Sequence, residues 1–458
     1  MTAKPTVPPD TAHWTARLTA LAARHSVPGA GLGIWYQGRR IEAAAGLANA
    51  GARIEATTDT LWQIGSITKV WTATAAMGLV DEGALTLDRP LVEVMPELRL
   101  ADEHLTRSVT LRHLLAHTSG IDGDYFPDTG RGDDCLERYA ELLADLPACH
   151  PLGATMSYCN AGYTLIGRVM ERVTGIRWDA LMRDRLFRPL GLTHTATLPD
   201  DVLRHRAATG HYGDPPQVVA EWSMARSTGP TGLICSTTAD VLAFVRLHLD
   251  GGSTGDGTRL LSGDSVRAMQ TPQVELPGPY PAGRAWGLGW VLGEWDGLAT
   301  YGHDGSTIGQ SAYLRVLPEV DLAICLFANG GNAGALYAEL FREIADELAG
   351  VSMPAPLLPA EAPVDMDPAD VTGVYERSST RIEVVERDGG LLLRDRFTGI
   401  LAGLAERPET EYPLRPLSPG TFVARRPDDG GWIPVAFFTL PDGSRFVHHG
   451  GRATPKVS

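Results

Sequence analysis

Cysteine is scarce in this sequence, and its few occurrences are far apart. Five cysteines occur in 458 residues and form no C-x-x-C pair: Cys135, Cys149, Cys159, Cys235 and Cys325. Their odd number and wide spacing argue against a disulfide framework and against a cysteine-based zinc site. His113 and His117 stand four residues apart, but a Glu-containing zinc motif and a third ligand are missing, so we expect no metal. This cysteine usage favours a reducing compartment, and we expect a cytoplasmic protein.

Long apolar runs and an excess of positive charge are also missing. No stretch approaches the roughly 18 consecutive apolar residues of a membrane-spanning helix. Residues 1–18 lack the cationic start and apolar run of a secretory signal. Lysine and arginine number 40 against 55 aspartates and glutamates, which gives a formal net charge of −15. An acidic surface attracts neither nucleic acid nor anionic membranes, so we expect neither as a partner.

The hydrophobic pattern divides the chain into two parts. In residues 1–350, strand-like runs near both ends enclose helical patterns from 66 to about 248, which predicts one α+β domain whose sheet joins distant segments. The predicted strands of this part are 30–35, 40–45, 285–293, 312–316 and 322–328. Residues 351–366 are proline-rich and predict a stiff linker. Residues 367–458 carry short alternating runs separated by Gly, Pro and Asp, which predicts a small all-β barrel.

A serine and a lysine stand at the start of the apolar-periodic stretch 70–80. If that stretch is helical, Ser66 and Lys69 lie one turn apart on the same face. A serine hydroxyl becomes an effective nucleophile when an adjacent base takes its proton, and a lysine is such a base when its pKa is lowered. The helix N-terminus adds backbone N–H groups where an oxyanion would form. The alternative is a capping serine followed by a surface lysine, so further residues must decide.

Two other motifs offer partners for this pair. Tyr158 and Asn160 stand at a loop-to-helix junction, where a phenol can relay protons and an amide can hold a substrate carbonyl. The alternative is a buried tyrosine with a capping asparagine. His303 lies in the glycine-rich segment 301–309, where it can orient a substrate carboxylate or Tyr158. The alternative there is a glycine-rich turn just before the strand at 312.

In this order, S-x-x-K at 66–69, Y-x-N at 158–160 and H-x-G at 303–305 resemble the motifs of the serine β-lactamase and penicillin-binding-protein superfamily. The match is to its class C, esterase and D-peptidase branch. Residues 114–120 and 229–233 also resemble that branch, and the resemblance covers about residues 10 to 350. It implies a β-lactamase/transpeptidase-like catalytic domain with an antiparallel sheet flanked by helices, and neither metal nor organic cofactor.

The resemblance implies a role for each matching residue of the first two motifs. Ser66 matches the acylated nucleophile, and Lys69 matches the residue that deprotonates it. Tyr158 matches the second base, which protonates the leaving group and later activates the acceptor. Asn160 matches the residue that positions the substrate amide.

The third motif is carried over in the same way. His303 stands where better-known β-lactamases have a lysine, which argues against antibiotic resistance as the function. The backbone N–H groups of Ser66 and Ser306, beside Gly305, match the oxyanion hole. Intact Ser66, Lys69 and Tyr158 argue against a non-enzymatic sensor or binding protein.

Within the superfamily, the chain resembles standalone penicillin-binding-protein-type thioesterases, which cyclise nonribosomal peptides head to tail. This finer resemblance rests on the loop 123–139 and on the C-terminal β region ending at 448–452. Those enzymes join a catalytic domain to a lipocalin-like domain in that order, which implies a lipocalin-like barrel for residues 367–458.

The thioesterase resemblance also implies a substrate and a partner. The substrate would be a peptidyl thioester ending in a D-residue or glycine, presented by a carrier protein of a peptide synthetase. Arg452 would help to hold the peptide. The alternative is that Arg452 is an ordinary surface arginine. A D-stereospecific peptidase or a carboxylesterase of the class C β-lactamase family, acting on a small peptide or ester, is the alternative function.

Overall fold

The computed structural model describes residues 10–404, 407–426 and 430–458, with side chains left out at 400, 401 and 404. Within them, the chain forms a nine-stranded sheet with helices and an eight-stranded antiparallel sheet closed nearly into a barrel. The predicted fold class, an α+β domain of the β-lactamase/transpeptidase type followed by an all-β barrel, is confirmed. No helix in this described part is both long and apolar enough to cross a membrane.

The first part of the chain contains most of the helices. They are α1 (Thr11–Arg24), α2 (Thr68–Asp81), α3 (Glu103–Ser108), α4 (Leu111–Leu115), α5 (Cys135–Leu142), α6 (Asn160–Thr174), α7 (Trp178–Met182), α8 (Pro199–Val202), α9 (Gly229–Gly232), α10 (Thr238–Leu249), α11 (Gly263–Met269) and α12 (Ala333–Ile344). Single π-helical turns follow α7 and α12, at Arg183–Phe187 and Ala345–Ala349. Short 3₁₀ turns occur at Gly65–Ile67, Leu91–Glu93, Leu143–Asp145, Arg226–Thr228 and Pro318–Val320.

The strands of the first part form one large sheet and two small ones. They are β1 (Gly29–Tyr36), β2 (Arg39–Asn49), β3 (Ile54–Glu55), β4 (Trp62–Gln63), β5 (Thr195–Ala196), β6 (His211–Tyr212), β7 (Gln217–Val218), β8 (Cys235–Ser236), β9 (Val274–Tyr280), β10 (Gly283–Trp286), β11 (Val291–Trp295), β12 (Leu298–Ser306), β13 (Ser311–Leu317) and β14 (Leu322–Ala328). The large sheet has the order β3-β2-β1-β14-β13-β12-β11-β10-β9.

The large sheet joins the two ends of the first part, as predicted. Strand β1 pairs antiparallel with β14, and Gly33 lies opposite Cys325. Strand β14 is buried on both faces: Ile324 and Leu326 pack with α1 and α12, whereas Cys325 and Phe327 face the core that contains α2 and α6. Burial on both sides explains why this strand is continuously apolar rather than alternating.

One prediction within this sheet was wrong. The predicted strand 285–293 is two strands, β10 and β11, joined by a turn in which Gly289 has a φ of +95°. His303 lies inside β12, opposite Leu314, which rules out the alternative of a glycine-rich turn before the strand at 312. Strand β12 has the composition of a loop, yet it is paired on both sides, so tertiary pairing outweighs its weak β-propensity. Its Gly302 is also required sterically, since a Cβ there would lie 2.1 Å from the Leu314 carbonyl oxygen.

The C-terminal part is an up-and-down barrel. Its strands are β15 (Gly373–Arg377), β16 (Thr380–Arg387), β17 (Gly390–Phe397), β18 (Glu409–Ser418), β19 (Thr421–Arg425), β20 (Trp432–Thr439), β21 (Arg445–His449) and β22 (Arg452–Pro455), with a 3₁₀ turn at Pro368–Asp370 and α13 at Gly399–Leu404. Each strand pairs with the next, the order found in lipocalins. The chain end returns to β15, where the Val374 N–H donates to the Ser458 carbonyl at 2.8 Å. Strands β18 and β22 were not predicted.

The barrel packs directly against the edge of the large sheet. Strand β20 lies against β9, and a Cβ placed on Gly278 would stand 2.5 Å from the Cβ of Ala436. The turn between β21 and β22 reaches further, because the Tyr158 N–H donates to the Gly451 carbonyl at 2.9 Å. Residues 351–366, between the two sheets, contain neither helix nor strand. The barrel is therefore in contact with the loop that carries one of the predicted catalytic residues.

Candidate active site

Ser66 and Lys69 meet at the start of α2. Ser66 lies in the 3₁₀ turn Gly65–Ile67, and the Lys69 Nζ is 2.9 Å from its Oγ and 2.8 Å from the Thr231 carbonyl oxygen. Lys69 is fully buried. Burial lowers the pKa of Lys69 well below its usual 10.5, and the positive charge of Arg452 lowers it further. A neutral amine in contact with a serine hydroxyl can accept its proton.

Two glycines bring the backbone of Ser66 close to that of Ser306. Gly65 has a φ of +51°, and a Cβ there would lie 2.6 Å from the Ser306 nitrogen. A Cβ on Gly305 would lie 2.0 Å from the Ile64 carbonyl oxygen and 3.0 Å from the Ser66 nitrogen. The 3₁₀ turn and the end of β12 can approach this closely only without side chains. Two backbone nitrogens close together provide the donors that an oxyanion hole needs.

Gly305→Ala is expected to lower kcat by about 10²–10³-fold, the cost of losing one oxyanion-hole donor. The added methyl would push the end of β12 away from the turn that carries Ser66. Steady-state kinetics on an activated ester would measure this loss. Gly255→Ala is the matched control, because Gly255 is exposed and a Cβ there meets nothing within 4 Å. An unchanged kcat in Gly305→Ala would remove this pair of nitrogens from the mechanism.

Tyr158 stands between the lysine and the barrel. Its ring centroid is 4.8 Å from the Lys69 Nζ and 4.8 Å from the guanidinium carbon of Arg452. Burial raises the pKa of Tyr158 above its usual range, and interaction with the Ser66 hydroxyl offsets only part of that rise. The phenol is therefore protonated at neutral pH, and the nearby charge of Arg452 favours transient loss of its proton. That combination suits a residue that relays a proton rather than one that stays ionised.

Asn160 is the first residue of α6, and its amide is held from both sides. Its Nδ2 donates to Asp124 Oδ1 at 3.0 Å, and its Oδ1 accepts from Thr231 Oγ1 at 3.0 Å. The helix is capped by Cys159, whose Sγ accepts from the Gly162 N–H, so a capping role for Asn160 is wrong. The second hydrogen of Nδ2 lies outside these bonds and is the one that can meet a substrate carbonyl.

His303 is a neutral imidazole at the back of the site. Its Nδ1 donates to the Asp304 carbonyl at 2.6 Å, and its Nε2 has no hydrogen-bond partner within the described part of the chain. Trp286 packs edge-on against it, with ring centroids 5.5 Å apart. Burial, together with the charge of Lys69, lowers the pKa of His303 to about 3. His303 therefore offers a lone pair at Nε2 and not a positive charge, unlike the lysine of better-known β-lactamases.

Arg452, at the start of β22, supplies the cation nearest to Tyr158. Its Nε and Nη2 donate to the two carboxylate oxygens of Asp124, at 3.0 and 2.8 Å. Its Nη1 donates to the Gly450 carbonyl at 2.6 Å. The side chain is 25% exposed, and two of its five N–H donors lie outside these bonds. Arg452 is thus more than an ordinary surface arginine, and contact with a bound peptide stays a prediction.

Sequence reasoning missed three residues that hold the site. Thr231 binds Lys69 through its carbonyl and Asn160 through its hydroxyl. His117 accepts from the Cys159 N–H at 2.9 Å, and its ring lies 4.4 Å from that of Tyr158. Asp124 binds both Asn160 and Arg452. The sequence showed that segments 114–120 and 229–233 resemble the family. It could not show the contacts of the Thr231 carbonyl or the buried His117 imidazole, because such contacts leave no local sequence pattern.

His113 and His117 do not form a metal site. The His113 Nδ1 accepts from the Thr110 N–H at 3.2 Å, whereas His117 serves the backbone beside Tyr158. In residues 10–404, 407–426 and 430–458, no three His, Cys, Asp or Glu side chains converge as metal ligands. Ser66, Lys69 and Tyr158 are residue types that carry out nucleophilic acyl transfer.

Comparison with known proteins identifies the family. The family model described as Beta-lactamase matches residues 14–349. The chain belongs to the β-lactamase family. This β-lactamase-family protein is 44% identical to "Penicillin-binding protein 4" of Amycolatopsis lactamdurans over 376 residues, which is 81% of this chain and 99% of that relative. The predicted membership of the β-lactamase and penicillin-binding-protein superfamily is confirmed.

Solved structures of the superfamily extend the likeness to the barrel. SurE superposes on this chain with a TM-score of 0.78 and is 30% identical to it, and the superposition covers 98% of this chain and 99% of SurE. SurE has also been solved with D-Leu. D-amino acid amidase from Ochrobactrum anthropi SV3 superposes with a TM-score of 0.60 at 23% identity, over 72% of this chain and 97% of the amidase. This second similarity is one of fold. The β-lactamase-family protein is a serine hydrolase of the β-lactamase and penicillin-binding-protein type.

The activity of this β-lactamase-family protein should rise with pH through the pKa of Lys69. Below that pKa, Lys69 is protonated and cannot accept the Ser66 proton, so the acidic limb of kcat/KM should lie well below the usual 10.5 of lysine. Arg452→Met removes a charge that lowers this pKa, so the limb should move to higher pH. The pH dependence of ester hydrolysis measures it, with Arg425→Met on the barrel surface as control. A limb that stays in place in Arg452→Met would contradict this electrostatic coupling.

Proposed function

We propose that this β-lactamase-family protein is a trans-acting thioesterase that releases a nonribosomal peptide and cyclises it head to tail. The observation that carries the proposal is the similarity to SurE over nearly the full length of both chains, barrel included. SurE has been solved with D-Leu, which supports a substrate with a D-residue at its reacting end. We propose the cytoplasm as the compartment, in keeping with five free thiols.

In the proposed reaction, Ser66 Oγ attacks the thioester carbonyl while its proton passes to the neutral amine of Lys69. The C–S bond breaks, and the sulfur leaves as a thiol after receiving a proton through Tyr158. The amino terminus of the same peptide then attacks the Ser66 ester and loses a proton to the site. The ester C–O bond breaks, Ser66 Oγ regains its proton, and a macrolactam leaves. The negative oxygen formed in each half faces the backbone N–H groups of Ser66 and Ser306.

Cyclisation requires that water reach the acyl group less often than the peptide amine does. The wall beside Tyr158 supports this requirement, because Met156 and Trp286 are both 1% exposed. The barrel covers the same side, since a Cβ on Gly451 would lie 3.8 Å from the Tyr158 Cβ and 4.0 Å from the Tyr280 hydroxyl oxygen. An apolar wall under a second domain favours an amine acceptor that arrives tethered to the acyl group.

A linear peptidyl thioester with a C-terminal D-residue tests the proposal. Mass spectrometry should detect a product lighter than the linear acid by one water, with no free amino terminus. The matched substrate with an L-residue at the same position should react far more slowly. Linear acid or free D-amino acid as the only products would exclude the cyclase and favour the D-stereospecific peptidase or esterase. The donor partner that we propose is the carrier protein of a peptide synthetase.

A further inference from the structure

Four charged side chains form a buried cluster where the barrel meets the catalytic part. Asp122 and Asp124 belong to the loop after α4, and Arg377 and Arg452 belong to the barrel. The side chains of Asp122, Asp124 and Arg377 are 1%, 7% and 6% exposed. Two negative and two positive charges balance one another, which a buried ionic cluster needs in order to be tolerated.

Asp124 uses both of its carboxylate oxygens, and its partners are Asn160, Arg452 and Arg377. Oδ1 accepts from Asn160 at 3.0 Å and from Arg452 Nη2 at 2.8 Å. Oδ2 accepts from Arg377 Nη2 at 2.9 Å and from Arg452 Nε at 3.0 Å. The two arginine charges hold the pKa of Asp124 below its usual range, although burial alone would raise it. Asp124 is therefore ionised and saturated with donors.

The partners of Asp124 are in turn partners of the catalytic groups. Through Asn160 the bonds continue to Thr231 and from there to the Lys69 Nζ. Through Arg452 they reach the ring of Tyr158, over which the guanidinium lies. Asn160 and Thr231 thus stand between this carboxylate and Lys69 along one route, and Arg452 alone stands between it and Tyr158 along the other.

Asp122 is a natural comparison for Asp124. It is also buried, and it binds the same Arg377, through Nη1 at 3.0 Å. Its other partners are the Ser378 N–H and the Ser379 hydroxyl, both on the barrel. In the part of the chain that the structure describes, the Asp122 carboxylate makes no hydrogen bond or ion pair with Asn160 or Arg452. The two aspartates therefore share the interface and differ in their connection to the site.

We propose that Asp124 is a positioning residue that fixes the Asn160 amide and the Arg452 guanidinium, and thereby joins the barrel to the catalytic site. A carboxylate can accept from all four donors at once, whereas an amide in its place would turn an NH₂ group toward an arginine. Arg452 would then lose its bidentate partner and its place over Tyr158. This inference rests on the proposed Ser66 acyl-enzyme but not on cyclisation.

Asp124→Asn and Asp122→Asn in the full chain test the inference with a small activated ester as substrate. Both variants should lose thermal stability, because each breaks a buried ion pair. Asp124→Asn should lower kcat about 10²-fold, the typical cost of a small misplacement of reacting groups, without raising KM. Asp122→Asn should keep a kcat close to that of the wild type. Asp124→Glu, which keeps the charge but moves it, should fold and still lose kcat.

Three results would decide against parts of this proposal. Equal loss of kcat in Asp122→Asn and Asp124→Asn would overturn the positioning role, because interface stability would explain both. A wild-type kcat in Asp124→Asn or Asp124→Glu would overturn it as well. Retained ester hydrolysis in Ser66→Ala would instead overturn the proposed acyl-enzyme, which is a separate failure.

Discussion

Ser66→Ala is expected to lower kcat/KM by at least about 10⁴-fold on both activated esters and peptidyl thioesters. The reason is that the alanine cannot form the acyl-enzyme through which both cyclisation and hydrolysis pass. The remaining backbone N–H groups can still polarise a bound carbonyl, so a small residual rate above water is expected. Initial-rate kinetics with protein purified away from host esterases would measure the loss.

Ser108→Ala is the matched control for this loss. Ser108 ends α3, and its hydroxyl has one weak contact, to His104 at 3.5 Å. Its removal should leave kcat/KM unchanged and the thermal midpoint close to that of the wild type. Turnover retained in Ser66→Ala, at the level of Ser108→Ala, would refute an acyl-enzyme on Ser66.

Lys69→Met is expected to lower kcat/KM by about 10³-fold while the thermal midpoint stays at or above that of the wild type. The loss of activity follows from removing the base that takes the Ser66 proton, a contribution of about 10²–10⁴-fold in other enzymes. The gain or parity in stability follows because the protein no longer buries an ionisable amine, whose desolvation is costly. A large loss of kcat/KM without a fall in the thermal midpoint distinguishes a functional lysine from a structural one.

Kinetics and thermal unfolding measured on the same Lys69→Met sample would test whether kcat/KM falls while the thermal midpoint does not. Lys456→Met is a suitable control, because Lys456 binds the Thr372 carbonyl on the barrel and has no contact with Ser66. A Lys69→Met variant that unfolds at a much lower temperature would show a structural lysine. A variant with wild-type kcat/KM would assign the base to another residue.

Residue spacing predicted the contact between Ser66 and Lys69 but not their role. Ser66 and Lys69 are three residues apart at a helix start, so their contact follows from helix geometry. Tyr158 and His303 are far away in the chain, and only the resemblance to a known family linked them to Ser66. The glycines around His303 left a turn open as an alternative, whereas in the structure they allow close backbone approach within a paired strand.

The contacts that hold the site could not be predicted. The Thr231 carbonyl that binds Lys69 is a backbone group, and any residue type would supply it. The barrel was predicted from alternating runs, but its docking depends on the Gly451 carbonyl and on the pairing of Arg452 with Asp124. The pairing of Arg452 with Asp124 joins residues 328 positions apart in the chain, and Gly451 and Tyr158 are almost as distant, so no local pattern encodes these contacts.

The electrostatics of the site also differ from what the third motif implied. A lysine at this position in related enzymes would carry a positive charge, whereas burial keeps His303 neutral. The positive charge beside Tyr158 comes instead from Arg452 of the barrel. The C-terminal part of the chain thus supplies an electrostatic element of the site, and its charge acts on the pKa of Lys69.

Labelling with a fluorophosphonate, which phosphonylates activated serines, tests the central claim most directly. After reaction at neutral pH, proteolysis and mass spectrometry would locate the adduct along the chain. The predicted result is one phosphonyl group per protein, on the peptide that contains Ser66, and no labelling of Ser66→Ala or Lys69→Met. An adduct on another serine, with the Ser66 peptide unmodified, would contradict the assignment of Ser66 as the nucleophile.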